Sequence, residues 1–311
     1  MTLKHSLIVP CYNEEGNVEN FLKETINAMK SYTDSYEIIF VNDGSKDSTP
    51  KKLRKIYSEN KDVRIKVVNF SRNFGKEAAM YAGFTVATGE YITIIDADLQ
   101  QDPKYVAQMA AILDSDPDCD MVAAYQAQRK EGKLISKSKH NFYKTISKMS
   151  GIDFISDASD FRTLRKSVAD TIVALPEYHR FSKGIFSWVG YNTVSIPYEV
   201  REREHGETKW NLKKLMAYAV EGIMAYTDKP LKLPLYLGAI LLLVSVVLGV
   251  LGLFAPYYGI ISAVLFVGSL VLICQGINGA YLGKVHTQVK DRPIFIAKEI
   301  LTYEHNQESD N

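Results

Sequence analysis

The chain has 311 residues, 37 basic and 36 acidic side chains and a formal net charge of +1. This balance excludes the overall positive field with which many proteins attract nucleic acid, so no nucleic-acid partner is expected. The cysteines Cys11, Cys119 and Cys274 are odd in number and far apart, which predicts neither a disulfide framework nor a zinc site. The first apolar run, at 7–9, is too short for a signal peptide, so the N-terminal part is expected to stay in the cytosol.

Residues 1 to about 210 alternate short β-prone apolar runs with helical stretches, which is typical of an α/β domain. Helices are predicted from Thr49-Pro50 and at 77–87, and also near 106–113, where apolar residues recur at helical spacing. This alternation predicts a mostly parallel sheet whose ligands bind beyond the carboxyl ends of the strands. The predicted strands are 7–9, 36–41, 63–68, 91–95 and 121–124.

Acidic residues follow three of these strands, at Glu14, at Asp43 and at the pair Asp96 and Asp98. Turn and capping chemistry is the simpler interpretation of each loop taken alone, and Asp102 before a proline equally fits a helix cap. Two carboxylates at one strand end, however, are hard donors that suit Mg²⁺ or Mn²⁺ and leave other positions to phosphates. The sequence therefore predicts a metal site at this edge of the sheet. It contains neither the glycine motif of a dinucleotide-binding fold nor a P-loop, so neither of those folds is supported.

Basic residues near these acids are candidates for phosphate binding. Arg72 and Lys76 lie in a glycine-containing segment before a helix, although a solvated basic pair is the alternative. Asp160 and Arg162 share one face if their segment is extended, which suits either a role at the acceptor or a structural salt bridge. Two further clusters of basic residues, at 179–183 and 201–209, precede the apolar stretch. The acids between them weaken an interpretation as a lipid-binding surface and favour phosphate recognition by selected residues. These residues are Arg180, Arg201, Arg203 and Lys209.

An uncharged stretch runs from Leu233 to Tyr281, and Pro256 divides it into two runs of roughly twenty residues, the length that spans a bilayer. It predicts a transmembrane hairpin at 233–282, with a buried pair of core helices as the alternative. Basic residues flank its outer ends, so both termini are expected in the cytosol. Residues 211–232 are predicted to form an interfacial helix or one packed on the preceding domain, and 283–311 a cytosolic C-terminal segment.

Together these motifs resemble the family 2 glycosyltransferases, in particular the polyprenyl-phosphate glycosyltransferases akin to dolichol-phosphate mannose synthase and bacterial membrane-anchored glucosyltransferases. The resemblance spans Ser6 to about Pro293 and implies a GT-A nucleotide-sugar-binding α/β domain at 1–210, followed by the interfacial helix and two transmembrane helices. One departure is Asn42, which replaces the first acid of the usual motif. Six ordered motifs carry the resemblance: Val9–Glu15, Val41–Ser45, Ser71–Lys76, Asp96–Gln100, Ser159–Arg162 and Gly206–Lys209.

The resemblance also implies roles for individual residues. Asp96 would contact the metal or the ribose, and Asp160 would be a candidate base near the acceptor. An alkyl phosphate is already mostly dianionic at pH 7, so Asp160 could instead only orient Arg162 or the acceptor. The nucleoside would be held by Pro10, Tyr12, Glu14 and Asp43, and Mg²⁺ or Mn²⁺ by Asp98 and Gln100.

The expected activity is an inverting transfer of a hexose from a nucleotide sugar to undecaprenyl or another polyprenyl phosphate, at the cytosolic face of a bacterial membrane. UDP-glucose or UDP-N-acetylglucosamine is expected rather than GDP-mannose. A processive polysaccharide synthase is disfavoured because a Gln-x-x-Arg-Trp segment is absent and only two spans are predicted. A non-catalytic membrane scaffold or lipid-flipping subunit is disfavoured by the retained acids. The expected partners are the nucleotide sugar, the lipid phosphate and the bilayer, and the oligomeric state, a homo-oligomer included, is left open.

Overall fold

One β-sheet of eight strands organises the described part of the chain. The structure is a computed structural model that describes residues 3–127, 158–201 and 258–303, with six single positions between 231 and 244. Of these, 3–127, 158–201 and 293–303 belong to one compact unit that holds the sheet, and 258–292 belong to a second.

The strands are β1 His5–Cys11, β2 Tyr36–Asn42, β3 Arg64–Phe70, β4 Tyr91–Ile94, β5 Met121–Gln126, β6 Ala158–Arg165, β7 Thr193–Tyr198 and β8 Ala297–Leu301. The helices are α1 Val18–Lys30, α2 Thr49–Glu59, α3 Lys76–Val86, α4 Lys104–Ser115, α5 Lys166–Ala174, α6 Ser182–Trp188 and α7 Tyr258–Val289.

The strand order β7-β5-β6-β4-β1-β2-β3-β8 places four parallel strands, β3, β2, β1 and β4, beside one another. In the register of β1 and β2, Cys11 lies opposite Asn42, and Ile8 of β1 lies opposite Ile94 of β4. The loops that carry the predicted acids therefore leave the sheet at the same edge. This edge is where α/β sheets bind their ligands.

Helices cover both faces of this sheet. Leu7 and Val9 belong to a buried cluster with residues of α1, α2 and α4, whereas Ile8 contacts Gly83 of α3 on the other face. Every residue of β2 is buried, as expected for a central strand covered on both sides. The five predicted strands and the mostly parallel sheet are confirmed, and the residues predicted to form the inner face of α4 are all buried.

The C-terminal strand was not predicted. Strand β8 pairs antiparallel with β3, and Phe295, just before it, stacks on Phe70 at 4.9 Å between ring centroids. The Arg54 side chain forms a salt bridge with Glu299 at 3.0 Å, which joins α2 to the same strand. Residues beyond the long helix α7 therefore complete the sheet that begins at His5, rather than forming a separate segment.

Helix α7 extends past the predicted end of the hairpin at 282. Among the described residues it is the one helix long and apolar enough to cross a bilayer, over Phe266–Val289. Large apolar side chains such as Val264, Leu272 and Val289 are exposed around it, at 66%, 73% and 76%. Two transmembrane helices are not confirmed. The first predicted span and the interfacial helix at 211–232 lie outside the described residues, apart from the six single positions between 231 and 244.

Candidate active site

Hydrogen bonds join the loops that follow β1 and β2 at the carboxyl edge of the sheet. The backbone N–H of Asn13 donates to Ser45 Oγ at 2.9 Å, and the N–H of Lys46 donates to Asn13 Oδ1 at 2.9 Å. Asn13 has a φ of 56°, a left-handed conformation that asparagine adopts more readily than most residues. The two loops thus hold one another, with Tyr12 between β1 and this junction.

The predicted nucleoside-binding residues at the end of β1 and in the loop that follows it lie at this edge. Pro10 and Tyr12 are half-buried there. The carboxylate of Glu14 accepts a hydrogen bond from Asn17 Nδ2 at 2.7 Å, and its backbone N–H donates to Thr49 Oγ1 at 2.8 Å. Glu14 therefore also has the capping and turn contacts of the simpler interpretation, because it connects α1 with the start of α2.

Asp43, the fourth predicted nucleoside residue, holds the loop that follows β3. Its Oδ1 accepts from the Phe74 N–H at 2.6 Å, and its Oδ2 accepts from the Gly75 N–H at 3.0 Å and from Asn73 Nδ2 at 2.8 Å. Burial raises the pKa of Asp43 to about 6, against these hydrogen bonds, which favour the ionised form. The carboxylate of Asp43 thus fixes the backbone immediately before α3.

Gly44 lets the second loop approach the third. A Cβ on Gly44 would lie 2.2 Å from the backbone carbon of Arg72, and its φ is +62°, so no other residue fits without a shift. The exposed guanidinium of Arg72 lies over the Phe74 ring, 4.1 Å from the centroid. Arg72 therefore lies at the edge of the site, on its solvent side.

The segment after β4 alternates buried and partly exposed residues. Ala97 and Leu99 are buried, and Leu99 has a φ of 58°. Gln101, which the sequence analysis did not single out, braces Asp96: its Oε1 accepts from the Asp96 N–H at 2.9 Å and its Nε2 donates to Asp96 Oδ2 at 3.2 Å. Burial raises the pKa of Asp96, and the charges of Asp160 and Asp98 add to this effect against the opposing charge of Lys76.

The Lys76 side chain connects Asp96 with Asp160. Its ammonium nitrogen lies 2.7 Å from Asp96 Oδ1 and 3.0 Å from Asp160 Oδ2. Burial would lower the pKa of Lys76, but Asp160 and Asp96 outweigh it and raise the pKa above its usual range. The structure therefore brings together three residues that come from separate motifs of the sequence.

Strand β6 places Asp160 and Arg162 on one face, as predicted for an extended segment. Burial would raise the pKa of Asp160, but the charges of Lys76 and Lys183 outweigh it and lower the pKa to about 2. Burial lowers the pKa of Arg162 to about 10; its guanidinium lies 3.7 Å from the Phe186 centroid and donates to the Ser159 carbonyl at 2.9 Å. No carboxylate of the described residues forms a salt bridge with Arg162, so the salt-bridge alternative for this pair is not what the structure contains.

Two residues that the sequence analysis did not single out support this face. The Glu77 carboxylate accepts hydrogen bonds from the N–H of Ser182, at 3.0 Å, and from its hydroxyl. This contact ties the start of α3 to α6, the helix that carries Lys183 and Phe186. Burial, with the charge of Asp160, raises the pKa of Glu77 to about 7. In the sequence, the only indication of this role for Glu77 is an acid next to Lys76 in the first turn of a predicted helix.

Two further predicted phosphate ligands, Arg180 and Arg201, have protein partners of their own. Arg180 donates to the Ile172 carbonyl at 2.7 Å and to that of Leu175 at 3.1 Å, so it caps α5. Arg201 forms salt bridges with Asp102, at 2.6 Å, and with Glu24. The backbone N–H of Arg201 also donates to the Gln100 carbonyl at 3.1 Å, so Arg201 lies beside a proposed metal ligand. Arg203 and Lys209 lie outside the described residues.

The strand-end residues fit a hard divalent cation. Asp96, Asp98 and the amide oxygen of Gln100 offer oxygen donors only, and Asp96 already has a cationic group, Lys76, at contact distance. No group of three or more His, Cys, Asp or Glu side chains arranged to hold a metal occurs within the described residues. Two carboxylates without a complete protein cage match the way Mg²⁺ is bound when substrate phosphates supply further ligands.

An α/β sheet with acids and a lysine gathered at its carboxyl edge is the architecture of an enzyme that binds its ligand beyond the strand ends. The sequence profile of glycosyl transferase family 2 matches residues 6–173, and the chain belongs to that family. It is a glycosyltransferase with a GT-A fold, as the sequence predicted.

Relatives match over nearly the whole chain. An uncharacterized glycosyltransferase of Synechocystis is 37% identical and covers 98% of both chains. The prophage bactoprenol glucosyl transferase homolog of Escherichia coli is 34% identical over 96% of this chain and 99% of its own. Among solved structures, Mycobacterium tuberculosis glucosyl-3-phosphoglycerate synthase superposes with a TM-score of 0.49 at 17% identity, covering 71% of this chain and 76% of its own.

Proposed function

We propose that this glycosyltransferase moves glucose, or else N-acetylglucosamine, from a UDP-sugar to undecaprenyl or another polyprenyl phosphate. The observation that carries the proposal is the ammonium group of Lys76, which contacts both Asp96 and Asp160. This contact joins the strand-end acids, which would hold a metal ion for the nucleotide diphosphate, to a second polar face that would receive the acceptor phosphate. The names of relatives as bactoprenol glucosyl transferases support glucose as the sugar and a polyprenol-based lipid as the acceptor.

The proposed reaction needs no proton transfer. A phosphate oxygen of the acceptor attacks the anomeric carbon, the bond from that carbon to the diphosphate oxygen breaks, and the nucleoside diphosphate leaves with the bonding electrons. The configuration at the anomeric carbon inverts. An alkyl phosphate with a second pKa near 6 is mostly dianionic at pH 7, so it already carries the attacking charge.

On the donor side, Asp96, Asp98 and Gln100 would hold Mg²⁺ or Mn²⁺. The ion, when bound, supplies positive charge that stabilises the departing diphosphate. The loops around Pro10, Tyr12 and Glu14 would hold the nucleoside, and the exposed Arg72 would add charge beside the phosphates. Because Asp43 fixes the third loop, its contribution to nucleotide binding would be mainly indirect.

On the acceptor side, Lys183 and Arg162 supply positive charge near Asp160. A carboxylate with a pKa of about 2 is a weak base at pH 7, which agrees with an acceptor that requires no deprotonation. Asp160 is therefore proposed to orient Lys76 and the acceptor rather than to take up a proton. Arg162, almost fully buried with an unpaired Nε, fixes positive charge behind that position.

We also propose that residues between β7 and β8 cross the membrane twice. Both strands belong to one sheet, so the chain must return to the side from which it left. If α7 crosses the bilayer, a second crossing must occur before it, and the uncharged stretch that begins at Leu233 has the required length. Basic residues at the outer ends of the stretch support a cytosolic location for the sheet.

Labelled nucleotide sugars test the activity. Purified enzyme and undecaprenyl phosphate are incubated separately with UDP-glucose, UDP-N-acetylglucosamine and GDP-mannose. We expect one of the two UDP-sugars to give a mild-acid-labile lipid product that carries a single sugar. A polymer would favour the processive synthase. Absence of sugar transfer and of nucleotide-sugar hydrolysis with all three donors, while the protein remains folded, would favour the non-catalytic scaffold.

Cysteine labelling tests the topology. Single cysteines are introduced by Lys61→Cys and by Lys298→Cys in a Cys274→Ala background. Both positions are exposed in the sheet domain, the first before the apolar stretch and the second after it. Both should react with an impermeant maleimide only after the membrane is permeabilised, whereas Tyr257→Cys, between the proposed spans, should react in intact cells. Labelling of only one of the two lysine positions in intact cells would contradict an even number of crossings.

A further inference from the structure

We propose that Lys76 is an internal cation that competes with the divalent metal for Asp96 and thereby sets how tightly the enzyme binds metal before the nucleotide sugar arrives. This inference rests on the metal site of the proposed function. Its starting observation is that the ammonium nitrogen contacts both oxygens of Asp96, at 2.7 Å and 3.1 Å.

The contacts of Asp96 place the ammonium group and a metal ion in competition for the same two oxygens. Gln101 Nε2 also donates to Asp96 Oδ2, at 3.2 Å, so the contacts of the Asp96 carboxylate are largely taken. A metal ion that binds Asp96 must therefore displace the ammonium group or share a carboxylate with a like charge a few ångströms away. Either course costs binding free energy that the same site without a lysine would not lose.

The position of Lys76 in the chain is otherwise unfavourable. It is the first residue of α3, where the helix dipole disfavours a positive charge, and its neighbour Gly75 has a φ of 98°. Contacts with Asp96 and Asp160 offset this cost. Because the side chain is 41% exposed, the ammonium can leave Asp96 without disturbing the core.

Asp160 provides the place to which the displaced ammonium moves. Its Oδ2 lies 3.0 Å from Lys76 Nζ and belongs to the acceptor-side face. When a metal takes Asp96, Lys76 retains Asp160 as its partner and shifts its charge toward the acceptor phosphate. Filling of the donor site would thus raise the positive charge of the acceptor site.

Manganese binding to the purified full-length enzyme in detergent, without nucleotide, tests the competition directly. Electron paramagnetic resonance measures free Mn²⁺ during the titration. Lys76→Gln should bind Mn²⁺ about tenfold more tightly than wild type, since one charge-assisted contact no longer opposes the ion. Lys104→Gln is the matched control. The Lys104 ammonium group forms a salt bridge with Asp102 and not with Asp96, so this variant should bind Mn²⁺ with the affinity of wild type.

The outcomes separate this inference from the metal assignment. If wild type binds Mn²⁺ and a folded Lys76→Gln binds it equally or more weakly, the competition is wrong and the metal site stands. If neither protein binds Mn²⁺ without nucleotide, or if Asp96→Asn does not weaken binding, the competition is wrong. The metal assignment is then tested by repeating the titration with UDP present, and it is wrong if no Mn²⁺ binds under that condition either. Should the glutamine variant unfold, Lys76→Ala repeats the test with a residue that helices tolerate well.

Discussion

The Asp43 carboxylate accepts a hydrogen bond from the backbone N–H of Phe74 at 2.6 Å, which joins the loop after β2 to the loop after β3. Lys76, the residue that contacts both Asp96 and Asp160, follows Phe74 by two positions. The position of a residue at the centre of the site thus depends on a carboxylate that lies one loop away.

Asp43→Ala should reduce stability and transfer together. The change leaves the N–H groups of Phe74 and Gly75 without their buried acceptor, which costs about 1–3 kcal/mol, and it releases the backbone before Lys76. Melting temperature and kcat/KM of the full-length enzyme measure both effects. Asp62→Ala, at an exposed acid before β3, is the control and should change neither. Transfer at the wild-type rate by Asp43→Ala would contradict this role.

Metal removal should stop transfer. Excess chelator is expected to abolish turnover, and Mg²⁺ or Mn²⁺ should restore it. Asp98→Asn should lower kcat by orders of magnitude, because a ligand and a negative charge disappear from the proposed metal site. Asp118→Asn, at an exposed acid beyond α4, should leave the rate unchanged. Full activity in chelator would contradict the metal assignment.

The sequence predicted the parallel strands and the edge at which the site forms, because local hydrophobic runs and turn residues encode both. It could not predict that Lys76 contacts Asp96 and Asp160, since 20 and 84 positions separate them along the chain. Nor could it predict the contacts of Arg180 and Arg201. A cation in a polar segment suits phosphate and carboxylate equally, and their partners, helix carbonyls and the acids Asp102 and Glu24, are set by tertiary packing.

The free energy of unfolding should decrease as the pH falls, because His5 is buried in its neutral form. Burial, with the charge of Lys4, lowers the pKa of His5 to about 3, and its Nε2 lies 2.7 Å from Thr93 Oγ1. Between pH 6.5 and 3 the unfolded chain binds a proton that the folded chain does not. The contribution of His5 to the free energy of unfolding is therefore complete above pH 6.5 and falls by up to about 1.4 kcal/mol per pH unit below it.

Thermal unfolding at pH 7.5 and pH 5 measures this effect. His5→Gln should lose less stability than wild type between the two conditions, even if it is less stable at pH 7.5. His286→Gln, at an exposed position of α7, should keep the wild-type difference. An identical pH dependence in His5→Gln and wild type would show that His5 does not titrate on unfolding.

Strand β8 changes how the role of the membrane segment must be tested. A chain ended at Thr208 would lose β8 and uncover the β3 edge, so its failure would not distinguish anchoring from folding. A variant that joins Lys209 to Pro293 by about 20 glycine and serine residues, with a mean span of roughly 25 Å, keeps the strand and removes residues 210–292.

This linked variant should still bind UDP, because every described residue proposed to bind the nucleotide or the metal remains. Its transfer to polyprenyl phosphate in vesicles should fall steeply, since the acceptor is no longer held near the site at a high effective concentration. Nucleotide affinity and lipid transfer are measured on the same preparation, with full-length enzyme as the reference. Transfer at the full-length rate would mean that residues 210–292 have a role other than bringing enzyme and lipid together.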